Sequence, residues 1–175
     1  MMGLHLEDVK PGQVFELGSY CFTRDRMLAF ATAYDPQPFH VDDEAAARGP
    51  FGQLAASGWH TGAAWMKCYI ATSDAAEARR RAQGLSWVGT GPSPGVSNLK
   101  WLKPVFVDDV ISYRCTVTAK REMASRPKWG LMFSTGEGFN QRGELVFSFD
   151  GKVLMARILP HPWEREGPIA GAMGG

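Results

Sequence analysis

The stretch Tyr34-Asp35-Pro36-Gln37-Pro38-Phe39-His40 holds a carboxylate and an imidazole five residues apart, with two prolines between them. A carboxylate and an imidazole facing one small volume could share the protons of a single water. One group takes a proton from the water while the other gives one to the substrate. A spacing of five does not bring two side chains together on a helix, and the prolines argue against a helix there. A stiff extended loop curled around the two groups is therefore expected. The plain alternative makes Asp35-Pro36 a helix end with an aspartate-initiated turn, and His40 a loop histidine bonded to backbone.

A second candidate lies downstream, in Ser57-Gly58-Trp59-His60-Thr61. Ser57 is a good N-cap, so a helix is predicted to open there. The first amides of a helix have no intrahelical partner, and the dipole at that end favours negative charge. Glycine at 58 lets a ligand come close to the backbone. Ser57 and Trp59 could contact such a ligand, and so could Lys100, beside Trp101 and near Lys103; the alternatives are a cap for the serine, core for the tryptophan and a solvated strand for the lysines. His60 reads as a polar residue near a helix start and stays outside the catalytic set. Arg79 to Arg81 read as a solvated helix end, or as a contact for phosphates. Asp42, Asp43 and Glu44 look like helix-start charges, and the histidines are too scattered to complete a metal site with them.

These groups need elements to hold them. Residues 13–22 read as a strand with a bend at Gly18. Thr23 can cap a helix whose Met27, Phe30, Ala31 and Tyr34 fall on one apolar face, and Pro36 ends it. Asp42 can cap a short helix through Ala47. The helix from Ser57 is apolar or small nearly all round, the pattern of a helix buried on most sides. From about Ser86 the period changes to two, giving strands near 96–105, 110–121, 131–140 and 144–157, with turns at Asp108-Asp109, Ala124 to Pro127 and Gln141 to Gly143. In the second of these, Ile111, Tyr113, Cys115, Val117 and Ala119 alternate with polar residues, one face buried and one wet. An antiparallel sheet wrapped around one long helix is the economical packing, an α+β arrangement. Residues 1–159 are expected to form the domain, and the Pro/Gly-rich residues 160–175 a loosely ordered tail.

Bulk properties exclude several classes. The net charge of +1 gives no electrostatic case for nucleic acid or an anionic membrane. The first ten residues hold acids and no apolar run, so no signal peptide is expected, and Leu54 to Met66 is too short to span a bilayer. Cys21, Cys68 and Cys115 are far apart and odd in number, which suits reduced core thiols in a cytoplasmic protein.

Together, Y-D-P-Q-P-F-H-V-D, then A-A-A-R-G-P-F-G-Q-L-A-A-S-G-W-H-T, and later G-V-S-N-L-K-W-L-K-P-V-F-V-D-D resemble the MaoC-like dehydratases, the (R)-specific enoyl-CoA hydratase group of the hotdog superfamily. The resemblance covers roughly residues 10–157. It implies a hotdog fold, usually dimeric, and reversible hydration of a trans-2-enoyl thioester to an (R)-3-hydroxyacyl thioester. It implies catalytic roles for Asp35 and His40, and a thioester-oxygen site at the Gly58 amide. No separate cofactor is implied, because CoA or a phosphopantetheine carrier is part of the substrate. Gln37 stands where the family pattern has asparagine, and Ser57 where many members have histidine; both departures bear on the pocket. Two other functions stay open: a hotdog thioesterase, which would release free thiol, and a binding subunit without turnover.

Overall fold

The structure, a computed structural model, describes residues 4–85 and 90–158. It contains five strands, β1 (Val14–Cys21), β2 (Gly95–Trp101), β3 (Val110–Glu122), β4 (Trp129–Phe139) and β5 (Leu145–Ala156). Four α-helices accompany them: α1 (Arg24–Tyr34), α2 (Pro38–Val41), α3 (Asp43–Ala47) and α4 (Gly58–Ala82). The strands make one antiparallel sheet in the order β1-β3-β4-β5-β2. Thus β3, β4 and β5 form the expected meander, but β2 does not join β3. It crosses to the far edge and pairs with β5. The tail at 160–175 lies outside the described residues.

The sheet wraps around α4. Ile111, Tyr113, Cys115 and Val117 of β3, with Phe147 and Phe149 of β5, are buried in one cluster with Ala64, Trp65 and Cys68 of α4. Each such large side chain contributes about 1.5–3 kcal/mol by leaving water. Polar tips are satisfied across the same interface. The Tyr113 hydroxyl donates to the Thr61 carbonyl at 3.0 Å, Trp65 Nε1 donates to the Arg114 carbonyl at 3.2 Å, and Thr72 Oγ1 to the Leu17 carbonyl at 3.1 Å. These bonds fix the helix against the sheet in rotation and translation.

Four expectations need correction. Ala119 leaves the buried row, because the β3–β4 pairing slips between Val117 and Ala119 and the alternation breaks there. Tyr34 is 75% exposed; it is the last helical residue of α1, past the turn that packs, and only Met27 and Ala31 of that face are fully buried. The segment after Pro36 is not an extended loop. Pro38 starts the helical turn α2, since the first position of a helix needs no N–H and suits the fixed proline φ. Finally, α4 is not covered on most sides: Trp59, Met66 and Ile70 are exposed, and the buried residues mark one face.

Local signals otherwise act as read. Gly18, at φ 85°, sits where the β1–β3 pairing slips. The Asp42 carboxylate caps α3 by accepting from the Ala45 amide at 2.7 Å. Thr23 occupies the N-cap position of α1 without a side-chain bond.

Candidate active site

Asp35 is the C-cap residue of α1, and its amide still donates to the Ala31 carbonyl at 2.8 Å. Pro36 stops the helix and turns the chain. The Gln37 amide then bonds the Asp35 carbonyl at 2.8 Å, and the His40 amide bonds the Gln37 carbonyl at 2.8 Å. Two successive tight turns thus bring His40, on α2, back over Asp35. His40 Nε2 stands 3.5 Å from Asp35 Oδ2. The other ring nitrogen, Nδ1, lies 2.7 Å from the Ala55 carbonyl oxygen. A carbonyl can only accept, so Nδ1 carries the proton. In the neutral ring the lone pair is therefore on Nε2, facing the carboxylate. His40 is buried, and the Ala55 amide returns a bond to the Phe39 carbonyl at 3.2 Å, so the imidazole is clamped in place.

The carboxylate is held just as firmly. Gln37 Nε2 donates to Oδ1 at 2.8 Å, and Ser57 Oγ donates to Oδ2 at 2.7 Å. The Gln37 amide is the largest cause that holds the Asp35 carboxyl below its ordinary range. The Ser57 hydroxyl and the nearby His40 act in the same direction, while burial opposes them. Asp35 is thus an anion with both oxygens already engaged. Ser57 does two jobs: the same Oγ accepts from the Trp59 amide at 3.2 Å and caps α4. The start of the central helix is therefore hydrogen-bonded to the carboxylate.

Gly58 is the first helical residue of α4. A Cβ there would stand 2.6 Å from Trp101 Nε1 and 2.7 Å from its Cε2, so only glycine fits beside the indole. Trp101, the last residue of β2, meets the Trp59 ring edge-to-face at 5.1 Å.

A cavity of about 440 Å³ joins these groups. Asp35, His40, Gly58, Trp59 and Trp101 line it, with apolar walls from Phe39, Ala56 and Val105. Of the residues singled out in the sequence, Asp35, His40, Gly58 and Trp59 come together here. Ser57 does not touch the cavity; it is fully buried behind Asp35 and acts on the carboxylate instead. Lys100 does not line it either. Lys103 does, and its Nζ bonds Glu144 Oε1 at 2.5 Å. Lys100 pairs with Ser148 and Trp101 with Phe147, and adjacent strand residues face opposite sides, so Trp101 and not Lys100 reaches the cavity. His60 points away from the cavity, into a cluster where it stacks on Phe30 at 4.6 Å and meets the Tyr20 hydroxyl at 3.2 Å.

Two further residues belong to the site. Gln37 was visible in the sequence only as a departure from the family pattern; the structure makes it a donor to Asp35. Trp101 gives no local signal, because its place beside Gly58 depends on the register of β2 on β5. Among the described residues no group of three His, Cys, Asp or Glu could hold a metal ion.

The arrangement combines an anion, an imidazole lone pair and the Gly58 amide, which the Ser57 cap leaves to the cavity, around one space. It suits proton transfer to and from a water beside a polarised carbonyl.

The family described as "MaoC like domain" matches residues 8–130. A crystal structure of a MaoC-like dehydratase from Rhodospirillum rubrum is 35% identical, covers 90% of this chain and 100% of its own, and superposes with a TM-score of 0.76. A curated relative, the uncharacterized protein YdeM of Bacillus subtilis (strain 168), is 28% identical over 154 residues, 88% of this chain and 100% of that protein. The (R)-hydratase from A. caviae involved in PHA biosynthesis is 24% identical over 84% of this chain and 97% of its own, with a TM-score of 0.61, a likeness of fold.

Proposed function

The chain belongs to the MaoC-like domain family, with its hotdog fold, and from that premise we propose that it is a hydro-lyase acting on a trans-2-enoyl thioester. It adds water reversibly to give an (R)-3-hydroxyacyl thioester. The observation that carries the reading is the Asp35–His40 pair at 3.5 Å, in one cavity with the Gly58 amide.

In the proposed hydration, a water on the cavity side of the pair donates one hydrogen bond to Asp35 Oδ2 and one to His40 Nε2. Nε2 takes one proton as the water oxygen bonds to Cβ of the substrate, and Asp35 orients the water through its second proton. The π electrons move toward Cα and the thioester oxygen, where the Gly58 N–H stabilises the developing charge. The imidazolium then gives its proton to Cα. The product carries hydroxyl on Cβ and hydrogen on Cα, and the reverse path expels water. The acyl group arrives on CoA or a phosphopantetheine carrier, and no other cofactor takes part. We further propose that the protein works as a homodimer in the cytoplasm. The exposed edge strand β2 and the exposed apolar residues of α4 are surfaces a second copy would cover. Among the described residues no helix is long and apolar enough to cross a membrane.

The test follows the conjugated enoyl-thioester absorbance with crotonyl-CoA and longer trans-2-enoyl-CoAs, with a thiol reagent present. Wild type should consume the absorbance without thiol release, and Asp35→Asn and His40→Ala should each abolish the loss. Thiol release would move the protein to the thioesterases. Binding of acyl-CoA with no product at any chain length would make it a binding subunit.

A further inference from the structure

We propose that the indole N–H of Trp101 is a second donor to the substrate thioester oxygen, beside the Gly58 amide. This rests on the hydratase reading for the identity of the bound carbonyl. The placement itself comes from geometry.

Trp101 Nε1 lies 2.6 Å from the point a Gly58 Cβ would occupy. The amide nitrogen and Cβ of one residue are about 2.5 Å apart, so Nε1 is within about 5 Å of the Gly58 nitrogen. One oxygen accepting from two N–H donors at about 2.9 Å each can bridge donors up to about 6 Å apart. The separation therefore permits a single shared acceptor. The side is also right. Helical Cα–Cβ bonds lean toward the N-terminus, the end from which the first amides project. The indole nitrogen thus stands at the open end of α4, and the Trp101 ring lines the same cavity as Asp35 and His40.

Two further observations separate this indole from ordinary packing. The N–H of Trp65, a residue of α4 packed against the sheet, is spent on the Arg114 carbonyl. Among the described residues no acceptor takes the Trp101 N–H. The ring is also held at its base and its edge. The next residue, Leu102, donates its amide to the Val146 carbonyl at 2.8 Å, and Trp59 packs edge-to-face against the indole. A donor held ready in this way costs little reorganisation when charge develops on the oxygen.

The competing possibility is that the indole merely plugs the helix end and must swing away. The two are told apart with 4-(dimethylamino)cinnamoyl-CoA, whose absorbance moves to the red when its carbonyl oxygen is hydrogen-bonded. The probe is bound to wild type and to W101F, W101H and W101L, and kcat and KM for crotonyl-CoA are measured alongside. W101F keeps a ring and loses the N–H. Its kcat should fall about ten- to hundredfold with KM changed less than about threefold, and its red shift should shrink. W101L should lose the shift as well, which keeps the test open if W101F does not fold. W101H, which retains an N–H, should keep part of both signals. A W101F enzyme with wild-type kcat and red shift overturns the proposal. So does one that turns over faster or shifts the probe further, since the indole is then a plug. Wild type that binds the probe with no red shift also overturns it. If wild type shifts the probe yet hydrates no enoyl-CoA, the hydratase reading falls, while a lost shift in W101F still supports the donor.

Discussion

Asp35 works in the proposed reaction only as an anion, and two neutral donors keep it one. Its carboxyl is held below the usual range chiefly by Gln37, then by Ser57 and His40. Depression of this kind stabilises the fold above the ordinary carboxylate pKa, and that contribution disappears as pH falls through the lowered one. Activity should follow the same limb. In Gln37→Ala the largest cause is gone, so the acid limb of the kcat/KM profile should move to higher pH. At neutral pH, where Asp35 is still ionised, the remaining loss is positional and should be roughly tenfold. A profile with an unmoved acid limb would show that Gln37 does not hold the carboxylate in solution. Gln37 also shows what the sequence conveys at this scale. Its departure from asparagine was plain, but the side chain finds Asp35 because a tight turn closed by the Gln37 amide on the Asp35 carbonyl folds the chain back.

At the scale of elements, the site is the meeting of two helix ends: the C-terminus of α1 bears Asp35 and the N-terminus of α4 bears Gly58. His60 joins those helices at a distance from the chemistry, packing from α4 against Phe30 of α1. Burial, aided by Arg26, pushes its pKa down to about 4. A depressed histidine pKa favours the neutral ring in the fold, so the unfolded chain binds the extra proton between pH 6.5 and about 4. Stability should fall as pH drops through that window, by about 2 kcal/mol between pH 7 and 5 from this group. Urea unfolding of wild type and His60→Phe at both pH values isolates the effect, and the variant should lack that part of the loss. The prolines work at the same level. Pro36→Gly or Pro38→Gly should cost about 1 kcal/mol of stability through the freed unfolded chain. Turnover should drop about tenfold or more, as the Asp35–His40 geometry loosens. Equal stability with unchanged turnover would mean that the backbone bonds alone set the pair. The prolines were legible as stiffness but misread as excluding helix. Pro38 is compatible with α2 because it occupies the first position, where a helix asks for no N–H.

For the whole molecule, the periodicities and turn signals were enough to place a sheet around a helix. The strand order was not legible, because pairing between distant strands leaves no local mark. β2 reads like its neighbours but crosses to β5, and that crossing carries Trp101 to Gly58. Among the described residues the same placement leaves β2 unpaired on its outer side, with Val96 exposed and lining one groove with Met66 of α4. A sedimentation measurement should give twice the 19.2 kDa chain mass. Val96→Lys and Met66→Lys together should lower it toward the monomer, since a stable interface buries about 1,200–2,000 Å² that such charges would have to enter. An unchanged mass in the double variant would place the contact elsewhere.

The order of the strands also has a consequence for synthesis on the ribosome. The chain emerges from its N-terminus, so α1, α2 and α4 are available before any of the sheet beyond β1. β1 has no neighbour until β3 is made, and β2 none until β5, the last strand described, has left the exit tunnel. Asp35 and His40 can meet early through local turns. The Gly58 end of the cavity waits for Phe147, opposite Trp101, to be translated. The exposed helix faces are bare during that interval, when long-range pairing is still incomplete and association with other chains is most favoured. The Asp35–His40 pair is thus a product of early, local folding, while the wall that Trp101 forms beside Gly58 waits for the last strand described.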